Sequence, residues 1–168
     1  EIYQATNRQA LVQGTPHDPN DVLSRYLLVA QRQGFDGVMR VTGDCPLIDP
    51  DECSRVLRIF HSGHYSYVAN DYWKSYPDGF GCEMFSRTTL ADSARWVKPG
   101  NNTDREHVTP WIKRGVNLGG GRRYCGLNLC CPFPGLEDLK FSVYTQEDLE
   151  RVRAIDARLP DGHLKYSL

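Results

Sequence analysis

Along residues 20–60 the apolar positions change rhythm twice. Val22, Leu23, Tyr26, Leu27, Val29 and Ala30 recur at helical spacing. That spacing predicts a helix over Val22–Gln33 with one inward face. Asn20 stands where a cap belongs, and Gly34 suits a left-handed stop. The apolar run from Val38 to Val41 then reads as a buried strand within residues 37–42. A second helix is expected from Pro50 to about His61. Asp49 is its cap, Pro50 takes the first position and Gly63 lies past its end. Val56, Leu57, Ile59 and Phe60 supply its buried face.

The alternation continues. Residues 65–70 read as a strand, and 71–81 as a loop rich in aromatics and turn formers. Glu83, Met84 and Phe85 form a short strand, and Ser86 caps a helix running to about Trp96. Thr103 and Glu106 have capping-box spacing and predict a helix carrying Val108, Trp111 and Ile112. Residues 119–121, three glycines, make a turn. Strands are expected at 122–129 and 139–143, with a weak one at 10–13. Thr145, followed three residues later by Asp148, opens a last helix with Leu149, Val152 and Ile155 inside. Strands alternating with helices predict an α/β domain with a mostly parallel sheet.

Composition changes this picture little. The chain has 168 residues, so a single domain over 1–168 is expected. A net charge of −1 gives no reason to expect nucleic acid or anionic membrane as a partner. No apolar run approaches the roughly 20 residues of a membrane helix. Residues 1–10 are polar and do not read as a signal peptide. The six cysteines, at 45, 53, 82, 125, 130 and 131, form no Cys-x-x-Cys. They read as reduced thiols of a cytoplasmic protein. His61 and His64 have a metal-like separation, but a solvated helix end accounts for them better.

Three constellations carry chemistry. Asp44 follows the first strand, where open α/β sheets place their ligands. Magnesium takes one or two carboxylates and leaves its other positions to phosphates and water. A turn aspartate accepting backbone N–H groups fits the same spacing, and spacing leaves both readings open. Residues 76–83, Tyr-Pro-Asp-Gly-Phe-Gly-Cys-Glu, form a shaped turn whose Asp78 and Glu83 could accept sugar hydroxyls. An ordinary surface turn is the plainer account. Arg105 and His107 fall in the expected first helical turn, where free N–H groups favour anions. The plainer account is that Glu106 is only the capping-box partner and that its neighbours Arg105 and His107 face solvent. The glycines at 119–121 do not lead into a helix, so they read as a connection and not as a phosphate cradle. Gly-x-Ser-x-Gly is absent.

Taken in order, these blocks resemble the cytidylyltransferase family of sugar nucleotidyltransferases. The nearest branch is that of spore coat polysaccharide biosynthesis protein F, related to the acylneuraminate and KDO cytidylyltransferases. The matching pieces are Asp21-Val22-Leu23-Ser24-Arg25-Tyr26, Arg40 through Pro50 and Tyr67-Val68-Ala69-Asn70. They continue with Tyr76-Pro77-Asp78-Gly79, Arg105-Glu106-His107-Val108-Thr109-Pro110 and Glu147-Asp148-Leu149-Glu150. They cover about residues 18–158. The resemblance implies a Rossmann-like, three-layer fold of the nucleotide-diphospho-sugar transferase type. It implies transfer of CMP from CTP to an acidic sugar for surface polysaccharide or glycoconjugate synthesis, with release of pyrophosphate. Magnesium would neutralise the triphosphate while the protein positions the reacting groups in line. By the same resemblance Asp44 and Arg40 would be catalytic, and Asp44 would hold the Mg2+. Asn70, Asp78, Glu83, Arg105 and His107 would bind substrate. Relatives are commonly homodimers.

The chain also departs from the family. The opening strand and basic, glycine-containing phosphate loop are not seen, as in an N-terminally truncated copy. Gly81 stands where relatives carry a carboxylate, and Tyr144 follows Ser142-Val143 where they carry an aspartate. These departures weigh against full activity. They keep a second reading open, a catalytically inactive sugar- or nucleotide-binding relative or partner subunit. A nucleotide-sugar glycosyltransferase ranks last, because the Asp-x-Asp pair is missing around Asp44.

Overall fold

The computed structural model describes residues 18, 20–117 and 123–159. The strand expected at 10–13 and the glycines at 119–121 lie outside the described residues. The described elements, in chain order, are α1 (Val22–Gln33), β1 (Gly37–Arg40), α2 (Pro50–Phe60), β2 (Tyr67–Ala69) and β3 (Glu83–Ser86). They continue with α3 (Arg87–Trp96), α4 (Asn102–His107), α5 (Pro110–Gly115), β4 (Val116–Asn117), β5 (Tyr124–Asn128) and α6 (Gln146–Asp156).

This is an α/β fold. Its strands stand in the order β1-β3-β2-β5-β4. β4 and β5 run parallel, with Val116 opposite Tyr124. The sequence led one to expect a mostly parallel sheet, but the sheet is mixed. The departure begins at residues 70–82, which contain no helix. A parallel neighbour would need a crossover there. Asn70, just past β2, instead donates its N–H to the carbonyl of Cys82, just before β3, at 3.3 Å. That is the pattern of antiparallel neighbours.

The chain divides into two units, each built from two segments. The first holds the described residues up to Val38 together with those between Phe85 and Gly126. In it α1 packs on α3 and α4, and α5 packs on the same two helices. Leu23, Ala30, Leu90, Val108 and Ile112 are buried there. Burying a leucine or isoleucine of this kind contributes about 2 kcal/mol. The second unit holds Met39–Met84 and the described residues from Leu127 to Leu159. Its α2 packs on β2, around a core of Val56, Val68, Cys82, Met84 and Leu129.

Most helix ends follow the expected chemistry. Asp49 caps α2, Ser86 caps α3, and Thr145 and Asp148 complete a capping box on α6. Gly34 closes α1 at φ +70°. Four expectations are corrected. Asp21, not Asn20, caps α1, accepting the N–H of Ser24. Asn101 caps α4, so Thr103 and Glu106 form no capping box. The helix expected to run through Val108 is two short helices. Val108 sits at φ +68°, and Thr109 donates its N–H to the His107 carbonyl at 2.7 Å. This is a γ-turn with positive φ at its centre, a strained form. The Pro110 ring favours a break just before it. Residues 139–143 form no strand. Only Lys140 pairs, in a single bridge with Asp78.

Candidate functional site

All of the residues that converge on the cavity described below belong to the second unit. β1 delivers Arg40 at its carboxyl end, and β2 delivers Asn70 and Asp71 just past its own. A cavity of about 650 Å³ opens there. Arg40, Thr42 and Cys45 line one part of it, and Asn70 through Gly79, with Gly81 and Tyr144, line the rest. This is the strand-end position where α/β sheets bind ligands.

The polar groups differ in how far they are committed. Asn70 is fully buried. Its amide donates to the Phe80 carbonyl at 2.9 Å, and its oxygen accepts from the Cys82 N–H at 2.7 Å. It therefore shapes the 80–82 turn and backs the cavity. Asp78 is exposed, and the Ser142 hydroxyl donates to its carboxylate. Gly79, beside it, is required. Its φ is +103°, and an added Cβ would lie 2.7 Å from the Ser142 nitrogen. Glu83 is only 1% exposed. Its carboxylate accepts from the Tyr67 hydroxyl at 2.7 Å and from the Arg40 guanidinium at 3.0 Å. It stands behind the cavity wall and not on it.

Asp44 is half-buried, in the turn after β1. Its carbonyl accepts the Val143 N–H at 2.8 Å, and its carboxylate receives only the weak Cys45 thiol at 3.5 Å. Burial, first of all, pushes the Cys45 thiol up, which keeps its proton on. Among the described residues no group of three His, Cys, Asp or Glu is arranged to hold a metal. A lone carboxylate with so weak a partner still fits magnesium when a nucleotide brings the phosphate oxygens.

Arg105 and His107 belong to the first unit. They lie in the last turn of the six-residue α4, not in a first turn. The helix dipole there favours cations, so the expected anion site is not formed. Arg105 is turned to structural partners. It pairs with Asp21 at 3.0 Å and bonds the Ser24 hydroxyl and the Val97 carbonyl. Burial alone would raise the Asp21 carboxyl. Hydrogen bonds from Arg105 and Ser24 more than offset it and lower the pKa. His107 is exposed.

The sequence reading missed several cavity residues. Asp71, Tyr72, Trp73 and Lys74 line the opening, and Trp73 is 57% exposed. Tyr144 is 64% exposed, with the Lys140 ammonium 4.7 Å from its ring centre. An aromatic cluster left in water directly after a strand was the available signal. Asp71 also bears on Gly81. A Cβ at Gly81 would meet the Asp71 Cβ at 3.1 Å and a carboxylate oxygen at 3.3 Å. The room for an aspartate at position 81 is already bordered by one. Asp148 is committed elsewhere. It takes Lys140 at 2.7 Å, Arg151 at 3.1 Å and the Tyr144 and Thr145 N–H groups.

The fold, though not the site, has a solved counterpart. The fold is shared with a cytidylyltransferase. That structure, from Leptospira borgpetersenii serovar Hardjo-bovis, superposes with a TM-score of 0.73 at 22% identity. The match covers 88% of this chain and 61% of that one. An uncharacterized protein of Methanocaldococcus jannaschii, MJ1063, is 29% identical over 98 residues. That match spans 58% of this chain and 38% of the relative. No family model matches. The chain thus spans 61% of the first of these proteins and 38% of the second. Among the described residues no helix is long and apolar enough to cross a membrane.

Proposed function

We propose that this chain is a nucleotidyltransferase-like domain that transfers CMP from CTP to an acidic sugar. The observation that carries the reading is the cavity at the carboxyl ends of β1 and β2, within a fold shared with a cytidylyltransferase. Its lining combines a guanidinium, Arg40, with exposed carboxylates at Asp71 and Asp78 and the exposed rings of Trp73 and Tyr144. Carboxylates accept hydroxyl groups. Aromatic faces cover the apolar side of a sugar ring, and a guanidinium meets an oxyanion.

In this reading the protein's contribution is positioning. Asp78, braced by Ser142, orients hydroxyls of the acceptor. Arg40 holds the anionic end, and Trp73 excludes water from one side. Asp44 would hold Mg2+, which when bound neutralises triphosphate charge. A soluble enzyme acting as a homodimer would follow by resemblance.

Calorimetric titration with CTP, in magnesium and again in EDTA, tests the reading. Binding is expected only with magnesium, and Asp44→Asn is expected to weaken it at least tenfold while leaving the melting temperature nearly unchanged. Equal binding in EDTA, or an unaffected Asn variant, would remove Asp44 from the metal role.

A second reading is a binding domain without transfer activity. Asp71 crowding Gly81 and the exposed phenol of Tyr144 favour it. It predicts CTP or sugar binding with no pyrophosphate release.

A further inference from the structure

We propose that Arg40 is the oxyanion-recognising group of the second unit's cavity, and that Glu83 and Tyr67 are positioning residues fixing its guanidinium from behind without touching the ligand. This rests on the reading of that cavity as a ligand site, and it gives Glu83 a different role from the substrate contact the resemblance implies.

Glu83 is 1% exposed and Tyr67 fully buried. A carboxylate so far from water persists as an anion only where donors replace its hydration. Here the Tyr67 hydroxyl supplies one oxygen at 2.7 Å and Arg40 Nη1 the other at 3.0 Å. Burial and the neighbouring Glu83 charge hold the Tyr67 phenol well above its usual pKa, so it stays a donor. The chain therefore has one direction, from hydroxyl to carboxylate and from guanidinium to carboxylate.

Arg40 is the member that reaches the cavity. Its side chain is 19% exposed and lines the wall. A guanidinium has five N–H donors in a rigid fork. Among the described residues Glu83 takes Nη1, and no bond to the rest of the fork is formed. The group is thus charged, anchored on its buried side and open on the other. That suits two-oxygen recognition of a carboxylate or phosphate, which an ammonium would not reproduce. The other cation of the cavity, Lys74, is mostly exposed and already paired with exposed Asp138 at 2.8 Å. The exposed Asp78 carboxylate on the remaining wall repels an anion. The ligand is therefore an oxyanion at the Arg40 end with hydroxyls at the Asp78 end.

The test follows the side-chain nitrogen signals of Arg40 by NMR in the full chain, assigned with Arg40→Lys. Sodium acetate and sodium phosphate are titrated separately. The Arg40 signals are expected to move with one of them, and the one that moves them says whether carboxylate or phosphate is read. Glu83→Gln and Tyr67→Phe are expected to weaken that response about tenfold, the worth of a hydrogen bond to a charged group. The sign discriminates between roles. If Glu83 merely neutralised Arg40, Glu83→Gln would tighten anion binding; if the pair were only a buried brace, anion binding in folded variants would not change. Either result overturns the proposal, as does a wild-type signal unmoved by both anions. That last measurement decides even where the variants do not fold. Loss of CTP binding with a persisting Arg40 response would remove the nucleotidyl reading and leave this one standing.

Discussion

Gly79 is the residue with the least freedom to change. At φ +103° an L side chain is strained, and a Cβ would lie 2.7 Å from the Ser142 nitrogen and 2.8 Å from the Phe141 carbonyl carbon. Gly79→Ala is expected to cost about 2–3 kcal/mol, read as a lower urea midpoint at unchanged slope. Asp148 sets a pH dependence. The Lys140 ammonium, followed by the Tyr144 and Thr145 N–H groups, holds its carboxyl well below the usual carboxylate range. A carboxyl depressed in the folded state binds fewer protons there than when unfolded. Its contribution is complete above the unfolded value of about 3.9 and is lost as pH falls through the folded value. Wild type should lose stability from about pH 4 downward, and Asp148→Asn should show a shallower fall over that range in acid denaturation. At this scale the sequence pointed to Arg40, Asn70 and Asp78, which do converge on one cavity. It was silent on Asp71, Trp73 and Lys74, because loop residues carry no periodicity. It also could not show that Glu83 faces inward, since a four-residue strand does not reveal which neighbour will bury a carboxylate.

The break between α4 and α5 is where an element, not a residue, carries the strain. Val108 is fully buried yet holds a positive φ. Val108→Ala removes buried methyl groups and keeps the backbone strain. Val108→Gly removes slightly more but relieves the strain. Glycine ordinarily costs about 0.5–1 kcal/mol more than alanine inside regular structure. Here the order should invert, with Val108→Gly at least as stable as Val108→Ala in thermal unfolding. A Val108→Gly variant less stable than Val108→Ala by the usual margin would mean the turn is unstrained. Elements were legible where local chemistry decides them. Asp49-Pro50, Ser86 and the Thr145–Asp148 pair each act within one helical turn. They were illegible where a distant partner decides. The Thr103–Glu106 spacing was satisfied on paper, but Asn101 reaches both the N–H and the carboxylate of Asp104 first. Residues 139–143 had strand composition, yet only Asp78 came alongside to pair with them.

For the molecule as a whole, the alternation of helices and strands was enough to predict an α/β fold, and the fold shared with a cytidylyltransferase agrees. Strand direction was not predictable, because the helix-free stretch at 70–82 turns the chain back beside itself. The ordered motifs also divide between units. Arg40, Asp44, Asn70, Asp78 and Glu83 fall in one, and Arg105 and His107 in the other. The three tryptophans divide in the same way. Trp96 and Trp111 lie in the first unit, and Trp73 alone lies in the second, on the open wall of the cavity. The protein thus contains its own optical probe. In a Trp96→Phe, Trp111→Phe background, all indole emission comes from the cavity wall. Iodide should quench it readily in the empty protein and less once a ligand covers the ring. A panel of nucleotides and sugar acids could then be screened by shielding alone, with no label attached and no turnover required.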